Sequence, residues 1–501
     1  MGQRSNLAGE DGDGRFRFGD DWSSLLDVAS RSRADNPRDD SPEFAWNRLD
    51  GKTRASMPGS IDDRWADTNR LTPATPRPFL GEISRFRSRA GMLQEYDVRS
   101  QGGTAEKQLP AEQSSYSKIE RPLRIALVAS SYNYIQDGVA LTLNRLVAYL
   151  ERQAVKVLVF APVGKFPALS HHGTLVPVPS VPLPARPEYR LAFGLPRRAV
   201  QRLGEFRPDI IHIALAPDLL GYSTLRIARN WNVPVVASYH TRYETYLKHY
   251  WYAAGMTSLL RCYLRRSYGY CREVYVPSQC MMDALTADGF KNNLRLWPRG
   301  VDPSSFNPDK RSRRWRDKWG IGENEIVVTY VSRLVREKQL GTLVAVLRLL
   351  EQSGAGYRYV IVGDGPERAV LERQLPNVVF TGFLNGDELG EAYASSDIFL
   401  FPSETETFGN VTLEAMASGL PCVCADATGS RSLVVHDLCG YLAKPGCARE
   451  FADRISALAR DPDLRRRMGA AARKRSLGFS WDEAMARMLG YYRSLVAETS
   501  A

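Results

Sequence analysis

At Arg124-Ile-Ala-Leu-Val-Ala129 the chain changes character. From there on, short apolar runs alternate with amphipathic stretches of helical length. Runs that are apolar on both faces must be covered on both, so the alternation predicts parallel sheets sandwiched between helices. A first series places strands at Arg124–Ala129, Lys156–Ala161, Asp209–Ile213, Val233–Thr241, Val274–Pro277 and Leu294–Trp297. Helices are expected between them at Ala140–Gln153, Leu195–Phe206, Gly221–Trp231 and Gln279–Asp288, and a long aromatic and basic helical region at Tyr243–Arg272. The Pro-rich Val176–Pro187 reads as a loop, and the charged Asp302–Gly320 as a linker. A second series sets strands at Ile326–Val331, Tyr357–Val362, Val378–Thr381, Asp397–Phe401 and Pro421–Cys424, with helices following each and continuing through Leu495.

Two such series predict an α/β chain of two doubly wound Rossmann-like domains, residues 121–305 and 306–480, with a ligand cleft between them. Residues 481–501 are expected as a C-terminal helix packing back on the first domain. Residues 1–120, rich in Asp, Arg, Ser, Gly and Pro and without a sustained period, read as a disordered N-terminal extension with one short helix at Ser24–Ala34.

The formal net charge of +11 calls for an anionic partner: a phosphate ligand, a nucleic acid or an acidic membrane surface. The seven cysteines (Cys262, Cys271, Cys280, Cys422, Cys424, Cys439 and Cys447) form no CxxC pair and no zinc-spaced cluster. Their odd number, with no apolar h-region after Met1, fits reduced thiols in a cytoplasmic compartment. No apolar run is long enough to cross a membrane.

The run Phe401-Pro-Ser-Glu-Thr-Glu-Thr-Phe-Gly-Asn-Val-Thr-Leu-Glu414 is a polar turn between a buried strand and a helix. Ligands bind at such carboxyl ends of strands in open α/β sheets, and the helix start offers N–H groups and a positive dipole end. Glu406 would point into the cleft from the loop and Glu414 from one turn inside the helix. The structural alternative makes Glu414 a solvated helix residue and Thr405 or Thr407 a simple N-cap.

Ser332-Arg-Leu-Val-Arg-Glu-Lys338 leaves the first strand of the second series. Arg333 and Lys338 can converge on a diphosphate there, whereas an isolated pair of this spacing is more often a solvated basic loop. Gly363-Asp-Gly-Pro-Glu-Arg368 follows a strand and opens a helix, but Arg368 stands where a dinucleotide fingerprint needs its third glycine. It serves equally as a tight turn, with a nucleotide nearby. His240, at a strand exit, faces the cleft or is a core histidine; His212, inside a strand, is structural. His171 and His172 have no visible partner. There is no GxSxG elbow, and Asp-x-Asp occurs only in the leader, so no carboxylate pair offers a catalytic metal site.

Together these pieces resemble the retaining glycosyltransferases of family four, of GT-B fold. The resemblance spans roughly Leu123–Leu495 and rests on Asp137-Gly-Val139, Tyr239-His-Thr241, Pro298-Arg-Gly-Val-Asp302, Ser332-Arg-Leu334 with Glu337-Lys338, Val362-Gly-Asp-Gly-Pro366, Phe380-Thr-Gly382 and the Glu406 to Glu414 element. Tyr239-His-Thr, Trp297-Pro-Arg-Gly-Val-Asp and Thr405-Glu-Thr-Phe-Gly-Asn are similar to the branch that glycosylates diacylglycerol lipids, which includes sulfoquinovosyl-diacylglycerol synthases and GDP-mannose-dependent α-mannosyltransferases.

The resemblance implies a hexose transferred from GDP-mannose or a UDP-sugar to a lipid such as (glycosyl)diacylglycerol, with no cofactor and no metal. It implies that Arg333 and Lys338 bind the donor diphosphate and that Gly138 lets the first-domain loop approach it. Glu406 and the backbone of Phe408, Gly409, Asn410 and Val411 hold the sugar, and Glu414 the ribose hydroxyls. His240 lines the reacting centre, while Arg299, Gly363 and Gly365 join the donor site. Ser332 departs from the family's usual glycine. The aromatic and basic region, with Tyr246, Lys248, Tyr250, Trp251, Tyr252, Met256, Leu259, Leu260, Arg261, Tyr263, Arg265 and Arg266, suits an anionic membrane or an interdomain helix. The first reading places the chain peripherally on the inner face of the cytoplasmic membrane. Competing readings are a GT-B epimerase, a soluble or polysaccharide acceptor, a nucleotide-sugar sensor, and nucleic-acid binding, which finds no motif.

Overall fold

In the computed structural model, residues 121–183, 186–214, 218–243, 257–290 and 293–500 are described. The expected leader at 1–120, its helix Ser24–Ala34, and Tyr246, Lys248, Tyr250, Trp251, Tyr252 and Met256 lie outside these residues.

The first series builds β1 (Arg124–Ala129), α1 (Gly138–Arg152), β2 (Lys156–Pro162), β3 (Thr174–Val178), β4 (Ser180–Leu183), β5 (Arg186–Ala192), α2 (Arg197–Phe206), β6 (Ile210–Ala214), α3 (Leu219–Asn230), β7 (Val235–Ser238), α4 (Thr257–Gly269), β8 (Glu273–Val276), α5 (Gln279–Ala287) and β9 (Leu294–Leu296). Ile125 through Ala129 are all buried, as a central strand requires. The sheet order is β3-β2-β1-β6-β7-β8-β9, and every pair is parallel. β1 and β2 run in the register Ile125 to Val157.

The second series builds α6 (Arg313–Lys318), β10 (Val327–Val331), α7 (Leu340–Gln352), β11 (Arg358–Val362), α8 (Arg368–Gln374), β12 (Val379–Gly382), α9 (Gly386–Ala394), β13 (Ile398–Phe401), α10 (Asn410–Ala417), β14 (Cys422–Ala425), α11 (Thr428–Leu433), β15 (Gly440–Ala443), α12 (Ala448–Arg460), α13 (Pro462–Ser476) and α14 (Trp481–Ser500). Its sheet order is β12-β11-β10-β13-β14-β15, again all parallel. Both domains are thus Rossmann-like, as the alternation predicts. In each, the winding reverses beside the first strand: between β1 and β6, and between β10 and β13. Loops leaving the carboxyl ends of those strands splay apart there and leave a crevice.

Two stretches differ from expectation. Val176–Pro187 is not a loop: it closes β3 and then turns into the antiparallel hairpin β4–β5. Pro182 and Pro187 are exposed on this two-stranded ribbon, where their missing donors cost little. Asp302–Gly320 is not a bare linker. Trp315 and Arg316 are buried against the second domain. The Arg316 guanidinium donates through its two Nη atoms to the carbonyls of Ser395 (2.9 Å), Gly322 and Glu325 (both 2.6 Å), so a charged stretch becomes core with only Nε left without a partner.

The chain crosses between domains twice, side by side. Val301 N–H donates to the Phe479 carbonyl at 3.0 Å, and Gly300 lies against the Trp481 backbone so closely that no Cβ would fit. After the second crossing, α14 packs on the first sheet. Met485, Met488, Leu489, Tyr492 and Leu495 are buried in the core that β1 and α1 share. Each such burial contributes about 1.5–3 kcal/mol. His212, buried on β6, meets Tyr492 OH through Nδ1 at 2.5 Å, which gives it the structural role expected.

Candidate active site

The loops at the second switch point carry the densest polar cluster. β10 runs into Ser332–Val335 and a single tight turn, Arg336–Lys338. β13 runs into the turn that ends at Gly409, whose φ of 97° is one that side-chain-bearing residues avoid. Gly409 starts α10, whose first N–H groups point toward the cleft with the positive end of the helix dipole.

These loops bring Lys338, Arg333 and Glu406 together. Lys338, itself buried, donates through Nζ to Glu406 Oε1, and Ser403 Oγ donates to the same oxygen at 3.0 Å. Burial pulls the Glu406 carboxyl upward. The charge and hydrogen bond of Lys338, with Ser403 and Arg333, outweigh it and hold the carboxyl below its ordinary range. The backbone of Glu406 is fixed as well: Thr428 Oγ1 donates to its carbonyl at 3.0 Å, and Gly429 leaves no room for a Cβ beside it.

Thr407 ties this turn to the other domain. Its hydroxyl donates to the His240 carbonyl at 2.8 Å, and its own carbonyl accepts from Ser278 Oγ at 3.1 Å. His240 is half-buried at the end of β7. Arg299 Nη2 lies 3.1 Å from its Nδ1, and Ser238 Oγ lies 2.7 Å from its Nε2. A guanidinium has no acceptor, so Nδ1 must be the acceptor and Nε2 carries the proton, donated to Ser238. Burial, then the Arg299 charge, push the imidazole well below its usual value, so it is neutral. Arg299 is buried behind it, its guanidinium 4.3 Å from the centre of the Trp297 ring, and burial lowers it to about 9. Arg299 therefore backs His240.

Gly138 faces the head of α10. A Cβ on it would sit 3.3 Å from Asn410 Nδ2. Asp137 caps α1, accepting from the N–H groups of Val139 (3.0 Å) and Ala140 (2.8 Å). Burial raises its carboxyl against the pull of the Ala140 amide and of Arg333 across the cleft. Glu414, half-buried in α10, accepts from Tyr393 OH at 3.3 Å and feels Arg145 of α1; burial nonetheless pushes it up to about 7. Phe408 is buried and edge-on to Phe479, 6.0 Å away, while Val411 gives its carbonyl to Tyr393 OH at 3.1 Å.

Gly363 and Gly365 sit one layer back. At φ of 129° and 157°, they lie against the carbonyls of Ser332 and Leu334, where a Cβ would clash. Their glycine requirement comes from pressing the loop after β11 onto the loop after β10, and so from supporting Arg333. His171 and His172 lie elsewhere, beside Tyr132 and Asn144.

The sequence reading missed Tyr189 and Arg186, which reach across from β5. Arg333 Nη1 donates to Tyr189 OH at 2.5 Å, and Arg186 Nη1 lies 3.0 Å from Glu337 Oε1. The alternation in Glu188-Tyr-Arg-Leu191 was the available signal; the neighbouring prolines masked it. Ser278 was also missed, and neither Thr405 nor Thr407 is the N-cap considered for them: Gly409 occupies that position, and their hydroxyls donate to the Glu337 and His240 carbonyls.

A site with a guanidinium and an ammonium at one strand end, an acid fixed by the ammonium, and a helix start beside them can hold a diphosphate and the hydroxyls of an attached sugar. Family models point the same way. One described as "Glycosyltransferase Family 4" matches residues 136–305, and one described as "Glycosyl transferases group 1" matches residues 311–475. The chain is 35% identical to the sulfoquinovosyl transferase SQD2 of Arabidopsis thaliana, over 74% of this chain and 73% of that protein. It is 36% identical to a GDP-mannose-dependent alpha-mannosyltransferase of Mycobacterium tuberculosis (strain CDC 1551 / Oshkosh), over 74% of this chain and 97% of that one. It is 29% identical to an alpha-monoglucosyldiacylglycerol synthase of Streptococcus pneumoniae, over 64% of this chain and 75% of that one.

Proposed function

As the chain belongs to glycosyltransferase family 4 and is a hexosyltransferase, we propose that it moves a hexose from a nucleoside diphosphate sugar to a diacylglycerol-based lipid, with retention of anomeric configuration. The observation that carries the reading is the Lys338–Glu406 pair, set beside Arg333 at the second switch point and locked to His240 through Thr407. Arg333, Lys338 and the N–H groups opening α10 stabilise the negative charge that grows on the leaving diphosphate. Removing one preorganised donor of this kind costs about 2.7–4 kcal/mol. Glu406 accepts from the sugar hydroxyls and Glu414 from the ribose. His240, neutral and fixed by Arg299, flanks the anomeric carbon. The acceptor enters from the first domain, near Gly138.

The glycolipid acceptor is supported by the diacylglycerol product in the name of the streptococcal relative. It is also supported by α4. Leu264 and Tyr268 bury one face of that helix, while Leu259, Arg265 and Arg266 are exposed on another. This is the arrangement of a helix that docks on an anionic surface. Among the described residues, no helix is long and apolar enough to cross a membrane.

The test is a screen of the purified full chain with UDP-, GDP- and ADP-sugars and diacylglycerol-containing membrane lipid. The expected product is an α-linked glycolipid from one donor class. Transfer only to soluble or polysaccharide acceptors, or an epimerised nucleotide sugar formed without any acceptor, would refute the proposal. Flotation with anionic vesicles, and not with neutral ones, is the expected membrane behaviour.

A further inference from the structure

The hairpin β4–β5 belongs to the first domain, yet two of its side chains end on the diphosphate loop of the second. Arg186 Nη1 is 3.0 Å from Glu337 Oε1, and Tyr189 OH accepts from Arg333 Nη1 at 2.5 Å. The Tyr189 ring also lies under both cations, its centre 5.2 Å from the Arg186 guanidinium carbon and 5.6 Å from that of Arg333. Glu337 is the pivot. It sits in the tight turn immediately before Lys338, its side chain is 0% exposed, and its carbonyl accepts from Thr405 Oγ1 at 3.2 Å. Thr405 precedes Glu406. Glu337 thus joins the hairpin to the loop of Arg333 and Lys338 through its carboxylate, and that loop to the loop of Glu406 through its carbonyl.

We infer that Arg186 and Tyr189 are positioning residues for the donor diphosphate: the hairpin sets the Arg333 guanidinium and the Lys338 turn from the opposite domain. The inference rests on the function proposed above and assigns a purpose to a segment that does not itself belong to the donor domain. Physically, a buried carboxylate that loses its guanidinium draws the nearest remaining cation. Lys338 is the next residue in the same turn and Arg333 shares the Tyr189 ring with Arg186, so breaking the Arg186 contact takes charge away from the phosphates. Tyr189 acts on the orientation of Arg333 by a hydrogen bond and by its ring face, which attracts a guanidinium held within about 6 Å. Both contacts run from the first domain to the second, so separating the two domains would break them and release the diphosphate loop.

The experiment measures kcat and donor KM of the full-length enzyme, with melting temperatures alongside, for Arg186→Gln, Glu337→Gln, the double variant, Tyr189→Phe and Tyr189→Leu. The donor is whichever UDP-, GDP- or ADP-sugar the wild type uses. Arg186→Gln is expected to lower kcat/KM about tenfold or more, in line with losing a hydrogen-bonded charge. The double variant is expected to recover much of that loss, because neither charge is then buried alone. Tyr189→Phe is expected to lower kcat several-fold at an unchanged melting temperature, and Tyr189→Leu further. An active wild type whose Arg186→Gln and Tyr189→Phe variants stay within twofold in both constants overturns the inference alone. So does a double variant that loses the full product of the two single effects. A wild type inactive with every donor overturns the functional reading and this inference with it.

Discussion

Replacing Lys338 by methionine separates what the ammonium does for the reaction from what it does for the fold. The side chain is buried and touches Glu406, whose carboxylate is half-buried. Losing a preorganised cation at a leaving diphosphate removes about 2.7–4 kcal/mol of transition-state stabilisation, or roughly 100- to 1000-fold in kcat. Breaking a buried ion pair on one side destabilises the fold by about 3–5 kcal/mol; Glu406 retains Ser403, so the low end applies. The pH dependence of stability should reverse in sign. In the wild type Glu406 is held below its ordinary value, so its stabilising contribution is present above that value and is lost as pH falls through the depressed one. Without Lys338 the upward push of burial dominates, and the folded-state value rises above the ordinary one. The contribution is then present below the ordinary value and is lost as pH rises. Melting temperatures from pH 8 to 5 should therefore show the variant gaining on the wild type as the solution is acidified. Lys338→Met/Glu406→Gln should restore the melting temperature but not turnover. Turnover of Lys338→Met within threefold of wild type, or a difference in melting temperature that does not change with pH, would refute the reasoning.

Three further outcomes are expected. Glu414, pushed up to about 7 by burial, opposes folding once ionised, so Glu414→Gln should raise the melting temperature relative to wild type at pH 8 and much less at pH 5. Gly363→Ala drives a Cβ into the Ser332 carbonyl at a φ of 129°, and should lower both the melting temperature and donor affinity through the Arg333 loop. Arg299→Met removes a charge that, after burial, holds His240 neutral, so the imidazole should titrate at higher pH in a histidine NMR titration.

The architecture was legible because its cause is local. Strands such as Tyr-Val-Ile-Val at 359–362 are apolar on both faces, and only a covered parallel sheet accommodates that. Glu406, Arg333 and Lys338 were legible as residues at strand exits, since the winding reverses beside β10. What the sequence hid depends on distance in space. The resemblance puts Arg299 at the donor site; that it spends donors on His240 and the Trp297 carbonyl follows from the packing of β9. Gly363 and Gly365 read as a tight turn with a nucleotide nearby; that they press against the loop after β10 shows only in the packing. Tyr189 and Arg186 lay in a segment where prolines suppressed the strand signal, although proline is compatible with a two-stranded ribbon. β15, four residues beginning with glycine, was too short to carry a period at all.

The return of α14 to the first sheet bears on how the chain is made. Synthesis runs from the amino end, and the core beneath β1 and α1 lacks Met485, Met488, Leu489 and Tyr492 until α14 has left the ribosome. His212 waits as long for the hydroxyl of Tyr492. The second domain has its whole sheet, from β10 to β15, well before that point. The domain begun first is thus finished last, and an apolar face stays exposed for the time needed to translate everything between.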